Sequence, residues 1–402
     1  MPALLNPALF HFDPAVTWVM HCADGPVPRA GMKAARSLMQ RELRPWEMRW
    51  REEGLGLPKA VRAECAKLIQ AEPADISLTA STSTALQIVA AGYPWQAGDE
   101  VLAPLGEFPS NVYPWKAQAA RGAGFREVPL WAGHRAGAEA WDSAAPALQD
   151  NPEARLLEAL GPATRILALS WVRFQDGLKL DLARLGAGCR ERGVHLVVDG
   201  IQGAGTCLAT MDGVAAFATG GHKGLLSAQG QGFLWTHPGF RRQLIPSGSW
   251  LSVEEGTEFT RASTDHDRAW LDSGERLEAG MPNLLGQSVL LESLRMLNQA
   301  GVLAIESHIK GLQWRLLRQL EASSAWGAEA RRLQALRDAD RLGPTLGFHH
   351  GGRGPAALQA LLQKGYRQGV FASVREGYLR IAFHGFHTET DVDRVSLWMG
   401  SI

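Results

Sequence analysis

Between Ile76 and Trp235 the sequence repeats one pattern, a short apolar run followed by a longer amphipathic stretch. "ISLTA" leads into "TALQIVAAGY", "EVLAPLG" into "NVYPWKAQAARGAG", and "FREVPLW" into "PEARLLEAL". "RILALSWV" then leads into "LARLGAGCRERG", and "VHLVVDG" comes next. Strands this apolar must be covered on both faces, and parallel neighbours need a helix-length crossover between them. The pattern therefore predicts an α/β fold with a mostly parallel sheet and helices on both faces. After Pro238 the alternation stops. A loop-rich stretch precedes helical "SVLLESLRMLNQAG" and "AIESHIKGLQWRLLRQLEA". The tail, with "TLGFHH", "AALQALLQKGYRQG", "GYLRIAFH" and "ETDVDRVSLWMG", reads as a smaller α+β domain. The expected division is an N-terminal segment 1–19 packing on the small domain, a large domain 20–265, a connecting segment 266–289 and a small domain 290–402.

Composition narrows the function classes. Lys+Arg and Asp+Glu both total 41, so no polyanionic partner such as a nucleic acid is expected. No apolar run is long enough to cross a bilayer, and "MPALLNPALFHFDPAV" lacks the basic start of a signal peptide. A cytoplasmic protein is expected. Cys22, Cys65, Cys189 and Cys207 form neither a CxxC pair nor a His/Cys cluster, so they read as buried small hydrophobes and no metal site is expected.

Ligands in such sheets sit at the carboxyl ends of the strands, and there four features meet. "VHLVVDG" ends a buried strand on Asp199, a carboxylate that either needs a partner or caps the next helix. Gln202 lies just beyond it, able to hydrogen-bond but not to ionise. "ASTSTALQ" puts Ser81, Thr82, Ser83 and Thr84 at the start of a helix, either an ordinary cap or a phosphate cradle. Lys223, in "FATGGHKG", sits at the end of an apolar run, where burial disfavours its charge. Together they describe one ligand, with an aldehyde for the lysine, a ring nitrogen for the aspartate, a phenolic oxygen for the glutamine and a phosphate for the helix. That ligand is pyridoxal 5'-phosphate.

On these residues the chain resembles the class V aminotransferase family of fold-type I enzymes, with its cysteine desulfurase, kynureninase and isopenicillin-N-epimerase-like branches. "VVDGIQGAG" is similar to its Asp-Gly-x-Gln segment and "GGHKG" to its His-Lys segment. "RLEAGMPN" and "LRIAFHGFHTETDVDRV" resemble its later motifs. The resemblance implies that Lys223 anchors the cofactor as the internal aldimine, with His222 beside it. It also implies that Asp199 pairs with the ring nitrogen, Gln202 with the phenolic oxygen, and Thr82 and Ser83 with the phosphate. Phe108, in "GEFPSNVYPW", would stack on the ring or else belong to the core. Arg380 would grip the substrate carboxylate through two parallel hydrogen bonds.

Three positions depart from the pattern. Gly220 replaces a serine, so its phosphate contact is lost or passes to Thr219. Met281 replaces a threonine that in relatives reaches the partner subunit's phosphate. Phe174 replaces an asparagine, leaving Arg173 and Trp171 to shape the substrate side. His21 lines the pocket or is structural, and Trp250 approaches a neighbouring subunit's site or packs an interface. "GVFASVREGYLR" has no cysteine, which disfavours persulfide chemistry of the desulfurase type. The expectation is an enzyme that binds an L-amino acid as an external aldimine, as an aminotransferase and a homodimer with shared active sites. A Cβ-lyase or epimerase of the same family is the alternative. A non-catalytic scaffold is disfavoured, because a decayed site would be expected to lose its lysine first.

Overall fold

The repeating pattern becomes a seven-stranded sheet. The computed structural model describes residues 1–246 and 248–401. Twelve strands occur in it: β1 (Thr17–Trp18), β2 (Ile76–Thr79), β3 (Glu100–Pro104), β4 (Gly124–Val128), β5 (Thr164–Ser170), β6 (His195–Asp199), β7 (Val214–Gly220), β8 (Gly232–Thr236), β9 (Thr345–His349), β10 (Val370–Phe371), β11 (Ser373–Arg375) and β12 (Tyr378–Ala382). The large sheet has the order β2-β8-β7-β6-β5-β3-β4. Its pairings are parallel except at β8, which is antiparallel to both neighbours.

Side-chain alternation divides this sheet between two cores. Leu102, Leu167, Leu169, Leu196, Val198 and Phe217 face one core, with Leu182 and Leu185 from the helix Leu182–Glu191. Their neighbours Val101, Ile166, Ala168, Val197 and Ala218 face the other, with Leu86 and Val89 from the helix Thr82–Gly92. Both faces are thus covered, which is why these strands are apolar throughout. Burying a leucine or valine here is worth about 1.5–3 kcal/mol.

Chain and pattern part company in places. "NVYPWKAQAARGAG" is not one helix but a single turn, Tyr113–Lys116, running into a 3-10 stretch, Ala117–Arg121, that ends on left-handed Gly122. Pro114 is tolerated only in that first turn, so the helix cannot begin earlier. The helices Arg29–Glu42 and Leu57–Leu68 pack on Leu284–Ala300 and were not evident from the sequence. Arg29–Glu42 buries only Gly31 and Leu38, too little apolar signal to read.

The C-terminal part holds a three-stranded antiparallel sheet, β11-β12-β9. The N-terminal segment joins it. β1 pairs in parallel with β10, Met20 bridges Ala382, and the Leu5 amide donates to the Gly385 carbonyl at 2.8 Å. Among the described residues no helix is long and apolar enough to cross a membrane.

Candidate active site

Ser170, Asp199 and Gly220 end three adjacent strands, and Ser170 lies directly across from Asp199 in the sheet. Lys223 lies on the turn after β7. The turn is closed from outside by the segment after β1. The Gly25 amide donates to the His222 carbonyl at 2.7 Å, and a Cβ on Gly25 would collide with the Lys223 carbonyl oxygen. Only glycine allows that approach.

Burial and the nearby Arg380 push the Lys223 amine below its usual range, while Asp199 pulls it back up. Its Nζ lies 5.7 Å from the centre of the Phe108 ring, which meets Phe174 edge-on at 5.2 Å. Phe108 is 41% exposed, so it is not core but the wall of an open site. Asp199 is enclosed, and burial raises its carboxyl to about 7 against the pull of the Ile201 amide and Lys223. The Ile201 amide bonds its Oδ1 at 3.0 Å, and Oδ2 has no hydrogen-bond partner among the described residues. Burial and the Lys223 charge also hold the His222 imidazole below its usual value.

On the other side of the site the helix Thr82–Gly92 begins. Ser81 caps it, accepting from the Thr84 amide at 3.1 Å. Ser83 shares a hydrogen bond with Ser110 at 2.7 Å. The Thr82 hydroxyl is buried with no partner, and a Cβ on Gly220 would come within 3.3 Å of it. An unpartnered hydroxyl at a helix N-terminus, beside a bare glycine, is where an anion would be taken up. Arg380, 3% exposed, donates from Nε to Ser373 Oγ at 3.0 Å and from Nη1 to the Phe174 carbonyl at 2.8 Å. These two bonds fix the plane of the guanidinium and leave Nη2 for a carboxylate.

Residues 56–395 match the model of the family described as Aminotransferase class-V. The chain belongs to that family. Its relatives include a probable cysteine desulfurase of Methanothermobacter thermautotrophicus, 27% identical over 61% of this chain, and isopenicillin N epimerase of Streptomyces clavuligerus, 28% identical over 58%. The chain matches 57% of the length of each. A solved structure of a C-DES variant with glycine linked to its pyridoxal phosphate superposes with a TM-score of 0.83 at 21% identity, covering 99% of both chains.

Class V enzymes use pyridoxal phosphate, and the donor set in this chain fits it. Lys223 offers an amine of lowered proton affinity, Asp199 a carboxyl with one open oxygen, and Thr82 an orphaned hydroxyl. Gln202 keeps one amide hydrogen for the Cys22 carbonyl at 3.0 Å and has the other available.

Arg173, Thr219 and His21 are enclosed, and Trp250 lies in a separate, partly exposed aromatic group. Arg173 is internal. Its guanidinium is spent on Asp176 at 3.0 Å, the Leu105 carbonyl at 3.3 Å and His134 at 3.3 Å, so it does not face a substrate. Thr219 is fully buried with its hydroxyl on the Gly220 carbonyl at 3.2 Å, and it does not replace the lost serine. Trp250 stacks on Trp50 at 6.0 Å with Phe259 beside it, in an aromatic group that contains none of the residues around Lys223. His21 is 1% exposed with both ring nitrogens enclosed and unpartnered. It packs edge-on against His384 at 5.2 Å, and burial, with the His384 and Lys223 charges, holds its imidazole well below the usual value. All four cysteines are free and buried, and burial raises the Cys189 and Cys207 thiols to about 12.

Sequence reasoning missed Ser110 and Glu107. Glu107 directly precedes Phe108, on the loop after β3, and its partner Ser170 lies on another strand.

Thr82→Val removes the orphaned hydroxyl at nearly constant volume. The cofactor-free protein should melt at the same temperature or slightly higher, while pyridoxal phosphate binds roughly ten-fold or more weakly. Melting curves and a binding titration on the variant would test both parts. Asp199 gives a second expectation. Its proton is retained in the folded chain to about pH 7 but is lost from the unfolded chain near pH ~4. The folded state then holds more protons across that window, so stability falls as pH rises through it. The loss is at most about 4 kcal/mol, three pK units at 1.36 kcal/mol each. In cofactor-free Asp199→Asn that slope should flatten, which melting temperatures from pH 4 to 8 would reveal.

Proposed function

We propose that the chain is an aminotransferase acting on an L-amino acid. The supporting observation is that Asp199 and Arg380 both act on the Lys223 amine, while Ser373–Tyr378, beside Arg380, contains no cysteine. Arg380 grips the substrate carboxylate with its free Nη2 and orients the α-carbon toward Lys223. The Lys223 amine, its proton affinity lowered by burial, would take the α-proton at Nζ. Asp199 would hold the cofactor's ring nitrogen through its open oxygen. Phe108 and Phe174 give the site one apolar wall beside Lys223. Thr82 and Ser83 hold the phosphate. When bound, pyridoxal phosphate delocalises the electron pair left on the α-carbon.

A homodimer that shares its active sites belongs to this reading, with exposed Met281 and Trp250 on the surface that would meet the partner. Sedimentation of the loaded protein tests it, since a monomer that turns over would contradict it.

Transamination is tested in a single half-reaction with an L-amino acid and no keto-acid acceptor. One equivalent of keto acid without ammonia supports it. Ammonia released with the keto acid would instead assign β-elimination, and loss of optical activity without keto acid would assign epimerisation.

A further inference from the structure

Glu107 is a buried carboxylate with no part in the proton transfer at Lys223. It is 8% exposed and receives three hydrogen bonds. The Ser170 amide donates to Oε1 at 2.9 Å, the Ser170 hydroxyl to Oε2 at 2.6 Å, and the Asn111 side-chain amide to Oε2 at 3.0 Å. Asn111 is itself committed, since its Oδ1 accepts from Trp115 Nε1 at 3.0 Å. Such a set of donors suits an anion, because a carboxylate can only accept while a carboxylic acid must also donate. Ser170 is the sheet neighbour of Asp199, and the Trp171 amide donates to the Asp199 carbonyl at 2.9 Å. The two carboxyl groups are therefore separated by one residue of one strand. Arg173 is the nearest cation to Glu107, and Asp176 already neutralises it through the 3.0 Å ion pair.

We propose that Glu107 is a positioning residue for Asp199: it remains an anion behind Ser170, and its field keeps one proton in the space that Asp199 shares with the cofactor's ring nitrogen. The proposal rests on the reading that Asp199 meets that nitrogen. The field acts on the pair as a whole. With one proton the pair is neutral, whether the proton sits on the carboxyl or on the ring, and without it the pair carries a negative charge that Glu107 repels. Lys223 acts in the opposite sense on Asp199, and Arg173 screens Glu107 in part. Burial raises Glu107 as well, but its three donors and Arg173 oppose that rise. Asp199 has one amide donor and Lys223 against it. Three donors face Glu107 and a single amide faces Asp199, so the hydrogen bonds favour the anion at Glu107. The same contacts hold the Gly106–Asn111 loop on β5, and so hold Phe108 over Lys223.

The test begins with cofactor-free protein carrying 13C-labelled carboxyl groups. Wild-type NMR titration should show Glu107 losing its proton at lower pH than Asp199. The reverse order overturns the proposal and needs no variant. In Glu107→Gln the Asp199 midpoint should fall by roughly one pH unit, while Glu107→Asp, which keeps the charge, should stay near wild type. An unchanged midpoint in Glu107→Gln, or equal shifts in both variants, would also overturn it. With pyridoxal phosphate bound, the pH at which the cofactor's absorption changes should fall in Glu107→Gln and recover in Glu107→Asp. Failure of the cofactor reading would look different: wild-type protein would stay colourless with added pyridoxal phosphate while the two carboxyl groups still titrated as a coupled pair.

Discussion

Lys223→Ala protein is expected to lose turnover by about 10³-fold or more, because the proposed reading makes one amine both anchor and base. The variant should still bind pyridoxal phosphate, since Asp199, Gln202, Thr82 and Ser83 are untouched, but the colour of covalent attachment should be gone and borohydride should trap nothing on the protein. Exchange of the substrate's α-hydrogen with deuterated solvent should fall with turnover. The geometry explains why no neighbour can substitute. His222 points its imidazole from the same turn, but burial and the lysine charge keep it a weak base. His21 is enclosed, and burial holds its imidazole well below the usual value. Unchanged colour together with unchanged turnover would move the chemistry to another residue altogether.

Arg380→Ala should raise KM for the amino acid by about 10²-fold, the loss of the proposed charge-assisted contact from Nη2. The chemical step should slow less, because on this reading the guanidinium meets the carboxylate and not the α-carbon. Arg380→Lys should recover little of this. An ammonium lacks the planar fork that donates to Ser373 and to the Phe174 carbonyl while Nη2 stays turned to the substrate. Steady-state kinetics with an L-amino acid and with the corresponding amine, which lacks the carboxylate, separates the cases. Wild type should prefer the acid strongly and Arg380→Ala should not. Equal preference in both proteins would assign Arg380 a structural role.

Much of this site is legible in the sequence because of where its residues fall in the pattern. Asp199 and Lys223 interrupt or end apolar runs, so their polarity stands out, and both lie at strand ends where the sheet opens. Arg380 is flanked by Leu379 and Ile381, which makes an inward guanidinium the simpler reading. Side-chain direction away from regular strands is another matter. Arg173 and Phe174 are adjacent on an irregular turn after β5, yet one is locked to Asp176 and the other lines the open site. His21 lies just past a two-residue strand, too short for alternation to fix its face. The helices between Arg29 and Leu68 were illegible for a related reason. They bury narrow faces against another helix, and their charged remainder masks the period. Glu107 went unnoticed because its partner Ser170 lies on another strand, and no spacing rule connects the two.

The turn that carries Lys223 is held by pieces from both ends of the chain. Gly25 bonds the His222 carbonyl on one side, and on the other His384 donates from Nε2 to the Gly224 carbonyl at 2.9 Å. His387 closes the ring by donating to the Trp18 carbonyl at 2.8 Å. During synthesis the lysine therefore leaves the ribosome about 160 residues before the histidine that secures its turn, some ten to thirty seconds at ordinary elongation rates. Until then the turn lacks its C-terminal support. A C-terminally clipped protein would therefore be expected to bind pyridoxal phosphate poorly even with its entire seven-stranded sheet already made.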